Sequence, residues 1–136
     1  MKVKLDDGAF LPTRAHPTDA GLDIKSPADA IVRAGSGVTI RTGIHVEIPA
    51  GHFGQLTSKS GLNVKHDITT TGTIDEGYAG GIVIRVFNHG RDDYQIKRGD
   101  KISQLVIAPC VYVDVEQVDW IEGGERGANG FGSTGR

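Results

Sequence analysis

The stretch GTIDEGYAG at residues 72–80 places one acid, Asp75, between turn-forming glycines, with Tyr78 three residues further on. A carboxylate held on a tight loop can act as a general base that activates water, and a nearby aromatic ring can form a wall against a sugar. A hairpin turn in which Asp75 makes a local backbone contact explains the same residues. This stretch alone leaves both interpretations open.

The C-terminal stretch RGANGFGSTG at residues 126–135 combines glycines with groups suited to a nucleotide. Gly-rich backbone lets N–H groups converge on an anion, and Arg126 offers a planar fork of donors for phosphate. Ser133 and Thr134 add hydroxyl donors, and Phe131 suits stacking on a base. The composition also fits a plain disordered terminus. The stretch predicts either such a tail or a lid that orders over a nucleotide.

Three shorter stretches could also carry chemistry. SKSGL at 58–62 fits a capped helical turn or a helix N-terminus that faces phosphate. AGLDI at 20–24 places Asp23 in an apolar strand, where it serves as a structural hydrogen-bonding group or near magnesium. RGDKISQ at 98–104 fits a turn that leads into a strand. Singly, the last two are interpreted as structural.

Bulk composition excludes several classes of protein. The 136 residues carry 15 Lys and Arg against 17 Asp and Glu, so no basic excess predicts duplex nucleic-acid binding. No apolar run reaches the length of about 18 residues that a membrane helix needs, and the N-terminus lacks an apolar signal centre, so we expect a cytoplasmic protein without a membrane partner. Cys110 is the only cysteine and is predicted to be a buried, inert thiol in a strand. The five histidines lack zinc-ligand spacing.

The elements that must position these residues are mostly short strands. Twenty glycines and five prolines leave little room for long helices. Apolar residues recur with a period of two, or in short apolar runs, at residues 38–48, 82–86, 101–108 and 111–115. Turn signals separate these runs, which is typical of an all-β sandwich or jelly roll.

One short helix is predicted within residues 58–66, capped by Ser58 or Ser60. The Gly-rich end of the chain differs from the rest, since six of the fourteen positions from 123 onward are glycine. We therefore expect a catalytic β domain over residues 1–121 and a flexible tail over 122–136.

Taken together and in this order, the five stretches resemble the five motifs of the trimeric dUTP pyrophosphatases, or dUTPases. The resemblance covers almost the whole chain, and its third and fifth motifs are highly specific. It implies a β jelly roll of the dUTPase-like β-clip type, assembled as a homotrimer with composite active sites. It also implies Mg²⁺-assisted hydrolysis of dUTP to dUMP and pyrophosphate, which limits uracil in DNA and supplies dUMP for dTMP synthesis. The tail would then close over a neighbouring subunit's site.

The resemblance also implies a role for each matching residue. Asp75 matches the base that activates water at the α-phosphorus, and Tyr78 matches the ring under the deoxyribose. Phe131 matches the ring over uracil, and Asp23 matches an acid that approaches magnesium through water. The base-reading positions are Thr69, Gly72, Thr73, Ile74 and Val83, and the phosphate-binding positions are Lys59, Ser60, Gly61, Gln104, Arg126, Gly132, Ser133 and Thr134.

Two departures and two alternatives accompany this resemblance. Lys59 stands where the family usually has Arg, which keeps the charge but loses the planar fork, and Ser103 replaces a common Ala. A dCTP deaminase shares the fold but carries a catalytic Glu where this chain has Arg85. A non-enzymatic trimeric nucleotide sensor is the alternative from another class.

Overall fold

Short antiparallel strands dominate the computed structural model, which describes residues 1–124 and 127–128. The strands are β1 (Val3–Leu5), β2 (Gly21–Lys25), β3 (Ala30–Val32), β4 (Gly37–Arg41), β5 (Ile44–Val46), β6 (His52–Thr57), β7 (Ile68–Ile74), β8 (Val83–Asn88), β9 (Tyr94–Ile96) and β10 (Lys101–Pro109). One helix, α1 (Ser60–His66), connects β6 to β7.

The strands form one large sheet and two small ones. The large sheet has the order β2-β10-β6-β7-β8-β4, and all its pairs are antiparallel. β1 pairs with β5, and β3 pairs with β9, in two-stranded sheets. Since most neighbours in the large sheet are distant in sequence, the topology is that of the predicted all-β jelly roll, which is confirmed.

Branched aliphatic side chains fill the core between the sheets. β8 shows the underlying period of two, because Ile84 and Val86 are fully buried while Val83 and Arg85 are exposed. The fully buried aliphatic side chains are Ile24, Val32, Ile44, Leu56, Ile68, Ile82, Ile84, Val86, Ile96, Ile102 and Leu105. This core holds rigid the strands from which the candidate site residues project.

The strand predicted over residues 111–115 does not form, so that prediction was wrong. Val111, Val113 and Val115 are 83%, 73% and 92% exposed, and the described segment after Pro109 is irregular. An alternating sequence becomes a strand only when a neighbouring strand accepts its hydrogen bonds, and this segment pairs with none among the described residues. Cys110 follows the end of β10 and is half-buried, rather than buried within a strand.

The predicted short helix is confirmed, but its predicted cap was wrong. Lys59 occupies the N-cap position without a side-chain cap hydrogen bond. The Ser58 hydroxyl is engaged across the sheet instead, since it accepts the Thr70 N–H at 2.9 Å and lies 3.1 Å from the Thr70 carbonyl oxygen. Ser60 is already the first helical residue. Among the described helical residues, none form a segment long and apolar enough to cross a membrane.

Candidate active site

Three adjacent strands, β2, β10 and β6, place Gln104 next to the segment that carries Lys59. Gln104 on β10 lies opposite Asp23 on β2 and opposite Thr57 on β6. Its Nε2 donates to the Ser58 carbonyl oxygen at 3.3 Å. A Cβ at Gly21 would lie 2.6 Å from Gln104 Oε1, so glycine at that position lets the Gln104 side chain keep this orientation. The register of the sheet therefore places Asp23, Gln104 and the chain that enters α1 side by side.

A buried carboxylate organises the cations of this cluster. Asp23 Oδ1 accepts from Lys59 Nζ, and Asp23 Oδ2 lies 2.7 Å from Lys101 Nζ. Burial raises the pKa of Asp23, but the hydrogen bonds from Lys101 and Lys59 outweigh it and hold the pKa below its usual value. One carboxylate between two ammonium groups leaves a net positive charge, and 27% of the Lys59 side chain remains exposed.

Lys101 was not among the sequence-predicted site residues. Its only signal was its position inside the GDKISQ stretch, three residues before Gln104. Both Asp23 oxygens face lysines, so the structure assigns this acid a direct structural contact with the cations of the cluster.

Buried hydroxyl groups support the segment that carries Lys59. Ser103 Oγ donates to the Thr57 carbonyl oxygen at 3.0 Å and lies 2.9 Å from Thr70 Oγ1. Ser58 is tied to the Thr70 backbone from the other side. Because these bonds link β6, β7 and β10, they fix the end of β6 from which the chain turns towards the helix.

Strand β7 presents Asp75 at its exposed end. Ile68, Thr70 and Ile74 are buried, so the alternate positions face outward, and Asp75 directly follows the strand and is exposed. Its carbonyl oxygen accepts the Tyr78 N–H at 3.2 Å, which is the local backbone contact of a turn. The carboxylate itself accepts no hydrogen bond from residues 1–124 or 127–128 and borders a cleft of about 450 Å³, lined by His52, Phe53, Asp75, Glu76, Gly77, Cys110 and Tyr112.

The predicted base-reading residues lie along β7 and at the start of β8. Thr73 pairs with Gln55, whose side-chain amide donates to the Gly72 carbonyl oxygen at 2.9 Å. Val83 opens β8 and is 42% exposed. Thr69 lies further along β7, and its hydroxyl contacts His89 Nε2 at 2.8 Å. Ile74, the last residue of β7, is buried.

Tyr78 stands at the rim of the β7–β8 loop, and two glycines shape its surroundings. The residue is 46% exposed, and its hydroxyl donates to the Gly81 carbonyl oxygen at 3.3 Å. A Cβ at Gly80 would collide with the tyrosine ring, and Gly77 adopts φ +82°, a left-handed conformation that favours glycine. The aromatic wall predicted from the sequence is thus built by the loop that carries Asp75.

Glu76 is a functional candidate that the sequence did not reveal. Its Oε2 accepts the Gly51 N–H at 2.7 Å and the Tyr112 hydroxyl at 2.5 Å. The hydrogen bond from Tyr112, followed by the one from Gly51, lowers the pKa of Glu76, and the same carboxylate raises the pKa of Tyr112 to about 12. The residue next to Asp75 therefore fastens the loop to two other segments, and adjacency to Asp75 was the only signal.

The acid of the β7–β8 loop, Asp75, and the lysine of the predicted phosphate-binding cluster, Lys59, lie near opposite ends of β6. Gly54 pairs with Ile74 and Thr57 pairs with Thr71, so Asp75 lies next to Phe53, near the His52 end of β6, while Lys59 follows the Thr57 end by two residues. At about 3.3 Å per residue, the two are separated by roughly 20 Å along the strand direction. A single chain does not bring Asp75 and Lys59 together. The predicted tail residues Arg126, Phe131, Gly132, Ser133 and Thr134 lie outside the described residues.

The described part of the chain offers no protein-built metal cage. Within residues 1–124 and 127–128, no three His, Cys, Asp or Glu side chains come close enough to hold an ion. With both Asp23 oxygens engaged by lysines, the available donors fit a hard cation that is carried mainly by the oxygens of a bound molecule.

Comparisons with known proteins agree on one family. The dUTPase family model matches residues 7–135. The deoxyuridine 5'-triphosphate nucleotidohydrolase of Clostridium acetobutylicum is 45% identical over 139 residues, which cover 99% of this chain and 96% of that relative. The solved dUTPase of Staphylococcus bacteriophage 80alpha with dUpNHpp is 34% identical with a TM-score of 0.91, covering 99% of this chain and 98% of that one.

A second similar solved structure is described with a bound metal ion. A variant dUTPase from phage phi11 of S. aureus, described with a coordinated structural Mg(II) ion, is 33% identical with a TM-score of 0.81. The match covers 90% of this chain and 98% of that one.

Proposed function

The chain belongs to the dUTPase family, and from that premise we propose that it hydrolyses dUTP to dUMP and pyrophosphate with Asp75 as the base. The observation that carries the proposal is the Asp75 carboxylate, which is exposed at the end of a rigid strand, beside a cleft and three residues from an aromatic wall. A base in this setting can reach a water molecule while the sugar is held next to it.

In the proposed reaction, Asp75 orients a water molecule and accepts one of its protons. The water oxygen forms a bond to the α-phosphorus, and the bond from that phosphorus to the oxygen bridging towards the β-phosphate breaks. Pyrophosphate leaves with the bridging oxygen. The protein's own contribution is positioning and charge stabilisation, which dominate phosphoryl-transfer catalysis.

The phosphate chain is proposed to lie on Lys59, Ser60, Gly61 and Gln104. The Asp23 carboxylate holds the ammonium groups of Lys59 and Lys101 at this place and leaves the cluster positive, as a polyanion requires. Lys59 contributes a point charge where an arginine would give a planar fork. Mg²⁺ would supply further neutralisation from the substrate's phosphate oxygens, with Asp23 approached only through water.

The base and sugar are proposed to lie against the β7–β8 hairpin. Tyr78 packs under the deoxyribose and excludes a 2′-hydroxyl. Main-chain groups near Gly72, Thr73, Ile74 and Val83 read the uracil edge, with Thr69 further along the same strand. Because main-chain donors and acceptors have a set polarity, such a reader would reject cytosine.

We further propose that each site is shared between chains of a homotrimer. The separation of roughly 20 Å between Asp75 and Lys59 supports this, since one triphosphate in one chain could not meet both. A hairpin from one subunit and a phosphate cluster from the next would complete the set. The exposed valines at 111, 113 and 115 would suit pairing with a second copy.

The arm at residues 122–136 is proposed to close over the site of a neighbouring subunit. Arg126, Gly132, Ser133 and Thr134 would clamp the γ-phosphate, and Phe131 would cover uracil. A chain ending at residue 125 should keep the fold of residues 1–121 and lose most dUTP hydrolysis. Full activity of that truncated chain would refute the role of the arm.

The central test is pyrophosphate release from dUTP, dCTP, dTTP and UTP, with and without magnesium. We expect dUTP to be hydrolysed fastest, and Asp75→Asn to abolish turnover while dUTP binding persists. Asp7→Asn, which neutralises another exposed acid in a turn, is the matched control and should keep its activity. Equal rates on all four nucleotides, or near-normal turnover by Asp75→Asn, would overturn the proposal.

The deaminase alternative fits this chain poorly. Arg85, where that alternative needs an acid, lies on the outer face of β8 and donates to Thr39 Oγ1 at 3.1 Å. Ammonia release from dCTP would revive it. A cytoplasmic location, where nucleotide pools are used, accompanies the proposed activity.

A further inference from the structure

We infer that His45 is a positioning residue that holds the Tyr78 wall in place and so sets the preference for deoxyribose. Its ring bridges the carboxylate of Asp6 and the carbonyl oxygen of Ala79, the residue that directly follows Tyr78. This inference rests on the proposed function in one respect, namely that Tyr78 packs against the sugar.

The geometry is that of a side chain caught between two segments. His45 lies between Ile44 and Val46 on β5, whose side chains are buried on the other face. His45 Nδ1 lies 3.0 Å from the Ala79 carbonyl oxygen, and Nε2 lies 3.2 Å from Asp6 Oδ2. Only 21% of the imidazole side chain is exposed. The ring is therefore largely enclosed by the groups it joins.

The loop that carries Tyr78 depends on such an anchor. It contains Gly77, Gly80 and Gly81, which lack side chains to restrain it. At its far end, the Ile82 N–H donates to the Ile44 carbonyl oxygen at 2.8 Å, and at its near end Glu76 is held by Gly51. Between these ends, His45 supplies a side-chain anchor at Ala79, the residue next to Tyr78.

The bridge requires a particular protonation state. A carbonyl oxygen and a carboxylate both accept hydrogen bonds, so both ring nitrogens must donate, and only the imidazolium carries two N–H groups. A neutral ring can satisfy one partner at a time. Loss of the proton would thus release either Ala79 or Asp6.

The surroundings favour the charged ring. The hydrogen bond to Ala79, and then the one to Asp6, raises the pKa of His45 above its usual 6.5, against burial and the nearby Lys4 ammonium. His45 in turn lowers the pKa of Asp6. The titratable and charged groups that line the hollows around the ring are Lys2, Lys4, Asp6, Arg41, Glu47 and Tyr78. The bridge is complete below the usual histidine pKa and is lost as pH rises through the raised value.

The test compares kcat/KM for dUTP with kcat/KM for UTP between pH 6 and 9. In the unsubstituted protein, the ratio should fall as pH rises through the His45 titration. His45→Leu should lower the ratio about tenfold at pH 6.5, because it removes interactions that together are worth about one strong hydrogen bond. His45→Gln keeps an N–H donor at every pH, so its ratio should not change with pH. His16→Gln, an exposed histidine outside this site, should behave like the unsubstituted protein.

Several outcomes would overturn the inference. One is a His45→Leu ratio within twofold of the unsubstituted value, and another is an alkaline decline that persists in His45→Gln. If His45→Leu does not fold, the His45→Gln profile decides. An NMR titration of the His45 ring adds an independent reading, since Asp6→Asn should lower the midpoint, and an unchanged midpoint would contradict the bridge.

Failure of this inference can be told apart from failure of the proposed function. If the unsubstituted chain does not hydrolyse dUTP, the proposed function fails. If it does, and Tyr78→Ala loses the sugar preference while His45→Leu keeps it, only the role of His45 is refuted.

Discussion

Asp75 lies next to one end of strand β6, opposite Phe53, and Lys59 follows the other end. The pairing of Gly54 with Ile74 and of Thr57 with Thr71 sets this separation, at roughly 20 Å. Both residues are needed at one triphosphate in the proposed reaction. A chain that lacks Asp75 and a chain that lacks Lys59 should therefore complement each other in a shared site.

Mixing inactive subunits should restore activity. Asp75→Asn chains keep the phosphate cluster, and Lys59→Ala chains keep the hairpin. In randomly mixed trimers with sites shared between neighbours, about a quarter of the sites would combine the two intact halves. Pyrophosphate release after co-refolding, compared with each variant refolded alone, measures this. Recovery should be absent if each site is built by a single chain, and that result would contradict the shared site.

Asp23→Asn should lower the free energy of unfolding by about 2 kcal/mol. The loss is smaller than for a fully buried ion pair, because both lysines that contact Asp23 are partly exposed. Urea unfolding at pH 7 measures the difference. The pKa of Asp23 is lowered, so its stabilising effect is present above its usual value of 3.8 and is lost as pH falls through the lowered value. The gap between the two proteins should therefore close in acid.

Glu47→Gln serves as the control for that experiment. It removes an acid from the exposed Lys2–Glu47 pair, where the nitrogen–oxygen distance is 3.0 Å and both side chains are mostly in solvent. Its effect should stay below about 1 kcal/mol. If both variants lose the same free energy of unfolding, Asp23 does not stabilise the fold more than an exposed acid does.

Gly80→Ala should weaken the discrimination between dUTP and UTP about tenfold, because the new methyl group would displace the Tyr78 ring. Gly81→Ala is the matched control. Its methyl would reach the His45 ring only at 3.6 Å, an ordinary contact, and its ratio should stay within about twofold. Steady-state kinetics on both nucleotides decide between them, and equal ratios in the two variants would argue against the tyrosine wall.

Ser103→Ala should cost about 1 kcal/mol of unfolding free energy, because the buried Thr70 hydroxyl loses its side-chain partner. Replacing Thr70 by Val in the same chain should recover most of the loss. Thr57→Val should be neutral or stabilising, since within the described residues Thr57 Oγ1 is buried without a partner. Denaturant midpoints for the four proteins test this hydroxyl network, and a neutral Ser103→Ala would contradict it.

The sequence by itself determined the class of fold and the order of the motifs. Glycine and proline content excluded long helices, and the period of two in β8 predicted which residues face the core. Asp75 and Tyr78 were recognisable because the acid, the aromatic residue and the glycines are adjacent in the chain. Patterns of this kind can be interpreted from the sequence alone, because they depend only on neighbours within a few residues.

Only the tertiary structure decided which residues meet. Tertiary packing placed Asp23 beside Lys101, put His45 against Ala79, and engaged the Ser58 hydroxyl with Thr70 rather than with the helix it was expected to cap. The alternating valines after β10 formed no strand, because pairing needs a partner that alternation alone does not supply. These outcomes depend on contacts between residues that are distant in sequence, and such contacts leave no local pattern from which they could be predicted.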